Sequence, residues 1–280
     1  MSMRIGKKKE KSKHLKFFKK IMSSSLKFSL FFFLLIFNVS NSFSAEKQEK
    51  LLKQSWSFDG FFGKFDRASL QRGYQVYTEV CASCHSMNLL SYRNLSEVGG
   101  PSFSEEEVKA IASKVEVLDG PNDSGEMFKR PGKPSDKFVS PFANEKAARS
   151  ANGGAYPPDM SVLVKARAGG PDYIYSILMG YTDKPPKDIK LEDGVYYNKY
   201  MAGNKIKMSK PLSQDSVKYS DGTPATEEQL SKDVVTFLTW ASEPHLEARK
   251  RIGFKTVVYL LILTVLVYLV KKKIWSRIEP

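Results

Sequence analysis

Cys81-Ala82-Ser83-Cys84-His85 is a C-x-x-C-H sequence, and it gathers both cysteines of the chain and one of its three histidines into five residues. Two thiols at that spacing suit two thioether bonds to the vinyl groups on one edge of a porphyrin. The adjoining histidine then lies over the iron and supplies an axial nitrogen. A thioredoxin-like redox pair would need a βαβ context, which the flanking sequence lacks. A zinc site would need two more ligands, and only His14 and His245 remain. The reading is therefore one covalently attached haem c.

A haem that only transfers electrons needs a ligand on its second face, and methionine is the ligand that raises its potential. The chain has nine methionines. Met1, Met3 and Met22 fall in the expected leader, Met87 is too near His85, and Met179 reads as part of a core helix. Met127, Met160, Met201 and Met208 remain as candidates. Met208 is favoured over Met160 because it lies in an irregular stretch stiffened by Pro211.

These groups need helices to position them. Leu70, Tyr74 and Tyr77, followed by Val80 and Cys81, make an apolar stripe that ends at the motif. Gly73 within it would permit close crossing by another helix. Thr226 and Gln229 have capping-box spacing before Leu230, Val234, Phe237, Leu238 and Ala241, and Pro244 ends that helix. The two helices are expected to pack together over the porphyrin. Residues 99–160, rich in proline and glycine, read as long ordered loops.

The charge of +14 is unevenly placed. Residues 1–44 hold ten Lys/Arg against one Glu, and residues 249–280 hold eight against one, whereas 45–248 hold 26 basic and 28 acidic residues. A slightly acidic folded part argues against nucleic-acid binding. The basic ends flank apolar runs instead. Phe28 to Val39, behind a lysine-rich start and ahead of Ser42 and Ser44, reads as a signal peptide over 1–44. An uncleaved anchor is the other reading. Thr256 to Val270 is uncharged, and with Ile252, Gly253 and Phe254 it approaches the length of a membrane span. Lys271, Lys272, Lys273 and Trp275 close it as cytoplasmic and interfacial flanks do. The expected organisation is a signal peptide at 1–44, a periplasmic haem domain at 45–250, a transmembrane anchor at 251–273 and a cytoplasmic tail at 274–280. The fold class is mainly α: a cytochrome c-type haem domain with long loops plus one C-terminal transmembrane helix.

Beyond the haem motif, Arg72-Gly73-Tyr74-Gln75-Val76-Tyr77, Asp119-Gly120-Pro121-Asn122, Arg130-Pro131-Gly132-Lys133, Tyr156-Pro157-Pro158-Asp159 and Asp221-Gly222-Thr223-Pro224-Ala225-Thr226 resemble the cytochrome c1 family. That family is the haem subunit of the quinol–cytochrome c oxidoreductase (cytochrome bc1) complex. The resemblance runs from about Trp56 to the C-terminus. It implies Met208 as the axial methionine and Arg167 as the partner of a haem propionate, with Tyr173, Pro157 and Pro158 lining the pocket. Lys210 departs from the pattern, which more often has proline or a small residue there. The resemblance also implies a bacterial inner-membrane protein that is no enzyme by itself. It would take electrons from a Rieske iron–sulfur protein, sit beside cytochrome b and pass electrons to a cytochrome c. An acidic run comprising Glu97, Glu105, Glu106, Glu107, Glu116, Asp119, Asp123 and Glu126 is a candidate docking field for a basic cytochrome. A membrane-anchored carrier outside the quinol complex and a haem peroxidase with an open iron position are the rival classes.

Overall fold

A computed structural model describes residues 49–187 and 189–277. The expected signal peptide lies outside the described residues. The first helix, α1 (Arg67–Glu79), starts at Asp66, whose carboxylate accepts the Ala68 N–H. That bond satisfies a backbone donor that the first helical turn otherwise leaves unpaired. α1 buries Leu70, Gly73, Val76 and Tyr77, largely the expected stripe, with Tyr74 packed partly buried against the core. Its partner is α5 (Glu227–Ser242). A Cβ on Gly73 would fall 2.1 Å from the Asp233 carbonyl oxygen and 2.7 Å from Phe237 Cβ, so only glycine admits this crossing. Gly73→Ala should cost about 1–3 kcal/mol through overpacking, or a melting-point loss of about 2–4 °C per kcal/mol for a domain of this size. Thermal melts followed by circular dichroism check this, and an unchanged midpoint would mean that the helices can part without penalty.

α5 differs from the single apolar face expected of it. It is buried almost all round, from Leu230 to Ser242 with Lys232 the exception, because α1 covers one side and α4 (Gly170–Met179) another. Its polar residues hide this in the sequence. Thr236 and Thr239 turn their hydroxyls onto the carbonyls of Lys232 and Val235 at 2.8 and 2.7 Å, so they enter the core already satisfied. Only half of the capping box forms. Thr226 Oγ1 accepts the Gln229 N–H at 3.2 Å, but the Gln229 side chain donates to Asp233 rather than turning back.

Residues 99–160 are more ordered than a set of loops. They contain α2 (Glu105–Ser113), a hairpin of β1 (Glu116–Asp119) and β2 (Phe128–Pro131), and α3 (Glu145–Ala151). α2 is held by a full capping box between Ser104 and Glu107, yet buries only Val108 and Ala112, too few positions for periodicity to register. The hairpin is fastened by Arg130, which bridges Asp119 and Asp136. That guanidinium, helped by the Lys133 N–H, depresses the Asp136 pKa to about 2. Stability from this group is present above the ordinary carboxylate value near 3.9 and is lost as pH falls through about 2. Asp136→Asn should therefore lower the melting point at neutral pH and flatten its decline between pH 4 and pH 2, roughly the window of that titration. A second small pairing, β3 (Tyr196–Tyr197) with β4 (Lys205–Ile206), leads into Met208.

Two features tie the ends to the core. Residues 52–56 lie over α4: Leu52 N–H donates to Ser176 at 2.9 Å, while Lys53, the Gln54 N–H and the Trp56 indole all donate to Asp172. The last helix, α6 (Leu246–Trp275), passes both ends of the expected 251–273 span. It is long and apolar enough to cross a membrane, and none of its most apolar window is buried.

Candidate haem site

α1 ends at Val80, and the chain tightens into a 3₁₀ turn over Cys81–Ser83. In that turn the Cys84 and His85 N–H groups both donate to the Cys81 carbonyl, at 3.1 and 2.9 Å. The motif is thus held by its own backbone. Both cysteines carry free thiols and are half-buried. Burial, with the neighbouring Cys84, pushes the Cys81 thiol up to about 12.

His85 is oriented by one bond. Its Nδ1 lies 2.8 Å from the Pro158 carbonyl oxygen, which can only accept, so Nδ1 carries the proton. Nε2 is left with its lone pair, the form an iron ligand needs. Burial lowers the ring's pKa despite the opposing pull of that carbonyl and of Asp159, so the imidazole is neutral at pH 7. The carbonyl is in turn held in place. Asp159 accepts the Ser86 hydroxyl and the Asn88 N–H, both at 2.8 Å, and the Ser161 N–H at 2.8 Å. Met160 N–H donates to the Ser86 carbonyl at 2.8 Å. These bonds lace 86–89 to 158–161 behind the histidine. Burial disfavours the Asp159 charge, but its donors outweigh this and hold its pKa below the ordinary carboxylate value.

The structure brings Cys81, Cys84, His85 and Pro158 together. It places Met208 half-buried just after β4, its carbonyl accepting the Tyr181 hydroxyl at 3.0 Å. Beyond it Leu212 is buried, and Lys210 pairs with Glu227 at 2.7 Å. The departure at Lys210 thus replaces stiffness with an ion pair to the first turn of α5. Tyr173 is half-buried on α4, its hydroxyl 3.6 Å from Met201 Sδ. Arg167 is exposed in the approach to α4, donates to the Ala166 carbonyl and makes no ion pair among the described residues. Pro157 is half-buried beside the exposed Pro158. Among the other methionines, Met87 and Met160 are core residues, Met127 is exposed, and Met179 and Met201 accept from Ser231 and Tyr173. Sequence reasoning missed Asp159 and Tyr181, because Ser86 and Asn88 are 73 and 71 residues from the first and Met208 is 27 from the second, too far for any local pattern to show.

The residues fit a c-type haem: two unpaired thiols in one turn, and an adjacent imidazole locked with its ligand nitrogen free. A model described as the Cytochrome C1 family matches residues 56–278. The chain belongs to the cytochrome c1 family. It is 52% identical over 249 residues to cytochrome b/c1 of Bradyrhizobium diazoefficiens, covering 82% of this chain and 36% of that protein. It is also 52% identical over 222 residues to the mitochondrial heme protein cytochrome c1 1 of Arabidopsis thaliana, covering 79% and 71%. Cytochrome c1 of Rhodospirillum rubrum is 46% identical over 244 residues, covering 82% and 89%. The chain thus spans about a third of the Bradyrhizobium relative and most of the other two. Membership brings electron transfer through a covalently held c-type haem, within an oxidoreductase complex. The apolar α6 fits a membrane anchor of such a protein.

Proposed function

We propose that this chain passes single electrons from a Rieske iron–sulfur protein to a cytochrome c while held beside cytochrome b in a bc1 complex. The observation that carries the reading is the bond from His85 Nδ1 to the Pro158 carbonyl, next to two free thiols. A bound haem supplies a one-electron iron couple. Cys81 and Cys84 would bind it covalently, and His85 Nε2 and Met208 Sδ would hold its iron. Met160 is poorly suited to that second role. Its N–H is laced to Ser86, only two residues from the carbonyl that orients His85, so it belongs to the histidine side. Arg167 would face a propionate, where a guanidinium suits a carboxylate. Tyr173, Pro157 and Pro158 would line the pocket and keep water out.

The name of the Bradyrhizobium relative joins cytochromes b and c1, and a Candida albicans relative is named a cytochrome b-c1 complex subunit, which supports a cytochrome b neighbour. The periplasmic face is the reading for the haem domain, with 1–44 as export signal and Lys271–Lys273 on the cytoplasmic side. The acidic docking field is smaller than the sequence suggests. Glu107 caps α2, Glu116 pairs with Lys129, and Asp119 pairs with Arg130. Steering of a basic cytochrome then rests on Glu97, Glu105, Glu106, Asp123 and Glu126, all exposed.

Gentle extraction from native membranes tests the assignment. The chain should copurify with a haem-b subunit and a Rieske protein, with a low-spin spectrum unaltered by carbon monoxide. Isolation as a lone anchored cytochrome would favour the carrier reading. Uptake of carbon monoxide would favour an enzyme with an open iron position.

A further inference from the structure

The loop between Phe58 and Phe65 has an unusual pattern of burial. Phe58 and Phe65, at its two ends, are 4% exposed and sit in the core, whereas Phe61 and Phe62 at its tip are 57% and 76% exposed. The tip rings touch each other with centroids 5.0 Å apart, and each lies 5.9 Å from the ring of Phe254 on α6. Three phenylalanines therefore form one exposed apolar cluster at the root of the anchor helix.

The depth of Phe254 follows from the length of α6. Its uncharged run, residues 256–270, rises only about 22 Å at 1.5 Å per residue, short of a hydrocarbon layer of about 30 Å. To complete the span, Ile252 to Lys255 must enter the layer, with Lys255 extending its ammonium back to the surface. Phe254 is then at the outer edge of the hydrocarbon, and the rings that touch it are at the same depth.

An irregular loop at that depth has a second requirement, because its carbonyls lose water and need another donor. Lys250, one turn above Phe254, meets it for three of them. Its ammonium donates to the carbonyls of Phe58 and Gly60, both at 2.6 Å, and to that of Gly63 at 3.4 Å. The Asp59 and Lys64 N–H groups close the loop base onto Trp56 and Ser57. The Phe65 N–H and the Arg67 guanidinium both grip Glu247 on the first turn of α6. The loop is fixed to the helix that enters the bilayer, with the carbonyls of Phe58, Gly60 and Gly63 partnered and its two apolar rings bare.

We propose that Phe61 and Phe62 form a second membrane contact of this chain, inserting beside α6 into the acyl-chain edge of the outer leaflet. This rests on the reading of α6 as a membrane span. Together, helix and loop would fix the tilt of the haem domain over the surface, which a single helix leaves free.

The test uses the full-length holoprotein in phosphatidylcholine vesicles that carry a photoactivatable diazirine near the glycerol end of the acyl chain. After illumination, lipid adducts are mapped by mass spectrometry of peptides. Adducts are expected on Phe61 or Phe62 at a yield within about threefold of Phe254 and at least about tenfold above that at Val98, as burial at the headgroup–acyl boundary requires. Adducts on 252–270 but not on 61–62 would overturn the proposal while leaving the span intact. Absence from both would remove the span itself. Adducts that appear for the isolated chain and vanish in the intact complex would overturn it in favour of a protein neighbour on those rings.

Discussion

Replacing Met208 by leucine is expected to turn a closed, low-spin haem into one that binds carbon monoxide. The leucine keeps volume and apolarity but removes the thioether sulfur, which on the proposed ligation would leave the iron with His85 alone. Loss of the methionine would also remove the proposed ligand, one of the kind that raises the potential. The fall should be on the order of tenths of a volt, within the roughly 0.8 V that axial ligands span. Cytochrome c reductase activity should fall with it, since the proposed Rieske donor could no longer reduce the chain downhill. The surrounding hairpin should persist, because the Tyr181 hydroxyl bonds the backbone carbonyl of residue 208, not its side chain. Met160→Leu is the matched control and should leave spectrum and potential in place. An unchanged spectrum in Met208→Leu would withdraw the sulfur assignment, and a change confined to Met160→Leu would transfer it.

The second large effect is expected at Asp233. This carboxylate is fully buried on α5, where it accepts from the Ser69 hydroxyl, from Arg72 Nε at 2.8 Å and from Gln229 at 3.0 Å. Arg72 also reaches Asp221 at 2.8 Å, and the two carboxylates lift its pKa further above its ordinary range despite burial. Removing one member of a buried charged network leaves the others unpaired, which costs about 3–5 kcal/mol. For Asp233→Ala this is a drop in melting point of roughly 6–20 °C at 2–4 °C per kcal/mol. Asp233→Asn keeps the shape and one acceptor, so it should lose less, about 1–3 kcal/mol. Melts of the detergent-solubilised holoprotein decide the matter. A drop of less than about 1 kcal/mol for the alanine variant would show that Asp221 alone suffices for Arg72, as surface pairs of that worth do.

What was legible in the sequence depended on range. The Cys81–His85 turn is local chemistry, complete within five residues, and its spacing stated its use. α1 was legible through its stripe, and the anchor through its uncharged run. α5 was legible as a helix but not as a central one, because Ser231, Asp233, Thr236 and Thr239 mark it as half-polar and their partners are found only in the folded chain. α2 and the β1–β2 hairpin escaped because each buries too little to leave a period. The roles of Arg167, Tyr173, Pro157 and Pro158 were supplied by resemblance rather than pattern. The structure gives Pro158 a use no spacing could suggest, since it is the backbone carbonyl rather than the ring that meets His85.

The pairing of α1 with α5 also sets a timetable for a chain made from its N-terminus. Arg72 and Asp233, which meet at the crossing, are 161 positions apart, so the first helix waits for nearly the whole domain to be made. Until then the two thiols just downstream of α1 lack the cover that this crossing gives them. Contacts made at this crossing are therefore among the last that the chain can complete.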